Sequence, residues 1–178
     1  MTTEEHVSHY MINKGLQFAN LTDDERFILD FNRLLYLLLI IESEYMKLTN
    51  ISLFNEDFFV TEQDLAIGAT NESVYDIYFT DYLKQKLSIF ENVISNKYEC
   101  KAFEFIPQEL ICEIADNVVL VFGMMSLDEL RELIKNKLNV KFDYTTIISK
   151  EELMQISFFN GKLDIKNKPR KRIVSISE

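Results

Sequence analysis

The chain of 178 residues has no tryptophan, and cysteine, histidine and proline occur twice each. Glycine occurs four times. So little glycine and proline excludes a collagen-like or Gly/Pro-rich disordered chain, and argues against a sandwich of many tightly turned strands. Cys100 and Cys112 cannot build a disulfide framework, and neither has a CxxC partner. His6 and His9 with two distant cysteines do not supply a tetrahedral zinc site. No metal and no cofactor is expected. No apolar run approaches 18 residues, and the chain does not open on a charged stretch followed by an apolar one. Neither a membrane span nor a secretory signal is expected, and the protein reads as cytoplasmic with reduced thiols.

Apolar residues make up 47% of the sequence, enough for a full core in one domain. A chain of this length hides roughly 70% of its unfolded surface. The formal charge of -10 is unevenly placed. Residues 161–178 form a basic, flexible tail that includes Lys168, Arg170, Lys171 and Arg172, while residues 1–160 form one strongly acidic domain. Such a body repels phosphate, so nucleic-acid binding is expected only through the tail, and a basic protein partner fits better.

The fold class read from the pattern is mainly α, an α+β arrangement around one long buried helix. Four segments carry the S/T-x-x-E capping signature: Thr2–Glu5, Thr22–Glu25, Ser126–Glu129 and Ser149–Glu152. The spacing predicts a central helix from Thr22 to Lys47. Leu34 to Ile41 within it is apolar without a break, and a helix apolar on all sides is a buried one. After it, Phe58–Glu62 has strand character behind a turn at Asn55–Asp57, predicting a small β-hairpin. Gly68 reads as a backbone position that disfavours a Cβ. Further helices are predicted over 72–93, from Pro107 at the first helical position to a stop at Gly123, from Ser126, and over 150–156. Residues 95–106 alternate loosely and read as extended, and 139–148 read as β-leaning and linking.

Chemistry-bearing motifs are scarce. No nucleophile elbow, P-loop or GxGxxG is present. The acidic pairs are adjacent in sequence, so their side chains diverge on a helix. Asp30 and Arg33, at i and i+3 in the apolar helix, are the candidate polar spot, either an ion pair or a functional site in an apolar groove. The methionines and aromatics fall on helical stripes and read as core.

The order of motifs resembles the Panacea domain over about residues 7–135. His9–Gly15, Leu21-Thr22 and Phe31–Tyr36 are similar to its opening, a short helix, a Leu-Thr cap and a long helix with a K-L-L-Y core. Here that core is Arg33, Leu34, Leu35 and Tyr36, with Arg33 where lysine is usual. Tyr45, Leu48-Thr49 and Leu53–Asp57 resemble the approach to the family's hairpin. Gly68 followed by Val74 and Tyr75 matches its glycine-to-Val-Tyr spacing. Glu109-Leu110, Val121–Gly123 and Ser126–Leu130 resemble its closing helix pair. Leu65, Ile67 and Ala69 stand where the family has Trp, Tyr and Pro, and its ending after Leu133 is absent. The resemblance implies a non-catalytic antitoxin that neutralises a toxin by direct contact. The alternative it leaves is a phage or mobile-element inhibitor of a host or defence nuclease, acting through an acidic surface. An enzyme would need a pocket gathering Asp30, Arg33 and a tyrosine.

Overall fold

In the computed structural model, which describes residues 2–62, 64–68, 107–140, 146–159, 163 and 165, Thr2 opens the first helix with a complete capping box. Its hydroxyl accepts from Glu5 N, and the Glu5 carboxylate takes Thr2 N in return. Helix α1 runs Thr3–Thr22, α2 Phe31–Thr49, α3 Glu109–Phe122, α4 Leu127–Leu138 and α5 Lys150–Gln155. A 3-10 turn at Glu25–Phe27 links α1 to α2. Ser126 and Ser149 accept from Glu129 N and Glu152 N, so both hydroxyls cap the helices that the sequence assigns to them. Each such cap contributes on the order of 1 kcal/mol.

The start of the central helix is corrected. It begins at Phe31, not at Thr22, and its cap is Asp30, whose Oδ1 accepts from Arg33 N at 2.9 Å. Thr22 instead ends α1, and its hydroxyl turns back to Phe18 O at 2.6 Å. Asp23 then takes a left-handed conformation, φ 53°, and breaks the chain direction. Aspartate tolerates that conformation better than most residues. The motif at Thr22–Glu25 is thus present without being a helix start. Asp30 is accordingly outside the helix rather than within its apolar stretch. Pro107 is also displaced from its expected place, because it precedes the N-cap Gln108 instead of following it.

Strands β1 Phe58–Val60, β2 Leu65–Ile67 and β3 Thr146–Ile148 form an antiparallel sheet in the order β2-β1-β3. Phe58 pairs with Ile67 on one side and Ile148 on the other. The expected hairpin is present, and a third strand, from the segment read as β-leaning and linking, is added to it. Phe58, Val60, Leu65, Ile67 and Ile148 face the core, as the two-residue period requires. Gly68 ends the hairpin at φ 35°, and a Cβ there would run into the Glu56 carboxylate. The left-handed φ and the close approach both call for glycine.

Leu34 to Ile41 are at most 1% exposed, every one of them. Helices α1, α3, α4 and α5 and strand β2 all pack on α2. It is the buried rod of a mainly helical fold with a small sheet. No single helix among the described residues is long and apolar enough to cross a membrane. The expected helix over 72–93 and the extended segment 95–106 lie outside the described residues, as does Cys100.

The direction of packing follows from side-chain contacts. Tyr10 and Lys14 on α1 reach Asp116 on α3, and Phe27, just past α1, lies against Gly123, just past α3. Helices α1 and α3 therefore run parallel. Arg33 in the first turn of α2 bonds Gly123 O and Met125 O, so α2 runs opposite to both. The α1–α2 corner and the α3–α4 corner meet at one end of the molecule.

Candidate functional site

Arg33 is the hub of that end. Its guanidinium donates to the carbonyls of Arg26, Ile28, Gly123 and Met125, which come from both corners. A planar guanidinium with five donors in a fixed fork suits such a cage, whereas a lysine ammonium has only three rotating ones. Carbonyls at helix ends and turns lack partners of their own, and Arg33 supplies them. At 8% exposure it is closed off by the chain itself. Asp30 stands 3.8 Å from it and its side chain is half exposed. The expected pair is thus present as an ion pair, in which Asp30 also caps the helix and Arg33 also serves as an internal tie. No tyrosine hydroxyl is bonded to either among the interactions described.

Gly123 stops α3 as expected, but in the ordinary right-handed region at φ -64°. The reason for glycine is closeness. A Cβ there would meet Val119 O and the Phe27 ring. This contact lets the two corners approach within reach of one guanidinium.

Tyr36 is fully buried, and its hydroxyl donates to Asp64 Oδ1 at 2.6 Å. Asp64 Oδ2 also lies 3.5 Å from Arg131 on α4. Burial pushes the Tyr36 phenol well above its usual range, and the hydrogen bond to Asp64 pushes it further. The arrangement fastens the β1–β2 turn to α2 and α4. Leu34 and Leu35, the other positions of the family-like core, are buried apolar packing. Val74, Tyr75, Lys168, Arg170, Lys171 and Arg172 lie outside the described residues.

Two further polar clusters are visible only in three dimensions. Glu42 is fully buried and accepts from Leu53 N, Phe54 N and the Ser52 hydroxyl. Lys150 Nζ completes it at 2.9 Å and also reaches Phe54 O and Glu56 O. This ties α2 and α5 to the approach of the hairpin. On the α1–α3 side, Tyr10 donates to Asp116 Oδ1 at 2.7 Å, with Lys14 3.7 Å from the other oxygen. Burial is the main cause that raises the Tyr10 phenol, the Cys112 thiol and the Asp116 carboxyl above their ordinary values. The sequence signal for these residues was slight: a carboxylate or phenol within a buried stretch needs a partner, but its identity is not local. Among the described residues no three His, Cys, Asp or Glu side chains are placed to hold a metal.

The outer surface differs from end to end. Leu21, Leu120, Val121 and Met124 are 79%, 52%, 51% and 37% exposed and emerge at the Arg33 end. Ile51 and Ile147 are exposed elsewhere. Ile51 follows the far end of α2, about 28 Å along its axis at 1.5 Å per residue. Segments 21–33 and 120–132, which make the two corners, carry seven acidic residues against three arginines, one of them the buried Arg33. Compared with known proteins, the chain matches no family model, no curated protein and no solved structure.

Proposed function

We propose that the protein acts by binding rather than catalysis, as an antitoxin-like protein that neutralises a toxin by direct contact. One observation carries this reading: the two corners tied by Arg33 expose Leu21, Leu120, Val121 and Met124 in segments rich in acids. Surface apolar clusters of that kind mark interaction sites. The resemblance of residues 7–135 to the Panacea domain points the same way. So does the use of Arg33, Tyr36, Glu42 and Asp116 in internal bonds, which gives them a part in holding the scaffold. The reading places the work in the cytoplasm, with a basic partner favoured by the acidic body.

Co-expression with the product of the neighbouring gene tests it. The expected result is that the neighbour alone arrests growth, that this chain restores it, and that the two co-purify. A neighbour harmless by itself, or one that does not co-purify, contradicts the reading. Inhibition of a purified host or defence nuclease without any toxic neighbour would favour the nuclease-inhibitor alternative instead.

A further inference from the structure

We propose that the Arg33 end of the molecule is the docking face, and that it takes a cationic segment with apolar side chains on one side from a protein partner. The proposal rests on the binding reading above and adds to it a place and a chemistry. Leu21 from α1 and Leu120, Val121 and Met124 from the α3–α4 corner supply the apolar part. Helices α1 and α3 run parallel, so these side chains leave the fold at the same end.

The occupant is argued from charge. Asp23, Glu25 and Asp30 are exposed on one corner, and Asp128, Glu129 and Glu132 on the other. Arg26 is held by Asp24 through its Nε and Nη2, which leaves little cation to oppose an incoming one. Asp128 and Glu132 pair with Arg131 and Lys135 within α4, and such exposed pairs are weak enough to be exchanged for a partner's lysine or arginine. Apolar anchors surrounded by charges of one sign favour a partner with apolar anchors and the opposite sign.

The face is also preorganised. Arg33 ties both corners through four carbonyls, and Gly123 allows their close approach. A rigid surface loses less conformational freedom on binding, which favours affinity. Arg33 is therefore a positioning residue for the face and does not touch the partner.

The test is a titration of the isotope-labelled full chain with a synthetic amphipathic peptide of leucine and lysine. A peptide of the same composition in scrambled order is the control. Amide shifts are expected to concentrate in residues 19–30 and 119–132. Binding should weaken about tenfold in a Leu120→Ser/Val121→Ser variant, and by a similar factor in Glu129→Gln with raised salt. All three substitutions are at exposed positions, so spectra away from the face should be unchanged. Equal binding of the scrambled peptide would overturn the proposal, since it would reduce the effect to general charge attraction. So would shifts centred on Ile51 or Ile147, or concentration-dependent self-association through this face without peptide. The co-expression assay separates the two claims. Growth rescue that survives Leu120→Ser/Val121→Ser sinks the docking face and leaves the binding function standing. No rescue by the unaltered chain sinks the function itself.

Discussion

Replacing Arg33 by leucine would leave the carbonyls of Arg26, Ile28, Gly123 and Met125 without their donor. Breaking a buried charged network by removing its centre costs about 3 kcal/mol or more. Arg33→Leu is expected to lower the urea midpoint by a corresponding amount, and Arg33→Lys to fall between it and wild type, because lysine keeps the charge but has three donors. A leucine variant as stable as wild type would mean that the carbonyls are satisfied some other way. Tyr36→Phe removes one hydrogen bond while Asp64 keeps Arg131, so about 1 kcal/mol is expected from the same measurement. The sequence marked Arg33 and Tyr36 but not their partners. Gly123 and Met125 lie about ninety positions further along the chain, and nothing local to Arg33 points to them. Asp64 was likewise invisible, because a turn aspartate has a local explanation that needs no tyrosine.

At the scale of elements, helix starts were legible from hydroxyl and glutamate at Thr2, and from these with an apolar flank at Ser126 and Ser149. Thr22–Glu25 has the same letters and a different outcome. There Phe27 and Leu29 are drawn into the core, and the chain must turn before α2 can begin. That choice is tertiary, and the local motif does not contain it. The consequence is measurable in a pair of variants. Asp30→Ala should cost about 1 kcal/mol as the loss of a helix cap. Thr22→Ala should stay within about 0.5 kcal/mol, as an exposed substitution away from any cap. The reverse order in chemical denaturation would restore Thr22 as the start of the central helix. The sheet was half legible. Its hairpin has the two-residue alternation, whereas β3 joins β1 from far along the chain.

At the scale of the whole molecule, two of the described tyrosines, Tyr10 and Tyr36, tie stability to alkaline pH. Tyr10 and Tyr36 both hold their protons above the ordinary phenol range near 10, chiefly through burial. The unfolded chain releases those protons as pH passes about 10, while the folded chain keeps them. Their contribution is therefore full below about pH 10 and declines above it. Each tyrosine adds about 1.4 kcal/mol of lost stability per pH unit. Denaturation curves at about pH 9 and about pH 11 should show the fall, and Tyr36→Phe should remove one residue's share of the slope. An unchanged slope in that variant would place the titration elsewhere.

The proposed binding function belongs to the outer shell, because the apolar stretch of α2 is enclosed on every side. Leu34 to Ile41 have no exposed face, and truncating one of them, as in Leu37→Ala, should cost about 2–5 kcal/mol. Amide hydrogen exchange along α2 tests this wrapped rod most directly. Amides of residues 34–41 are expected to exchange only through global unfolding, as the slowest set in the chain and with the full denaturant dependence of the molecule. Fast exchange there, at rates like those of the α3–α4 corner, would mean that α2 opens to water, and the account of a closed core with a binding exterior would be wrong.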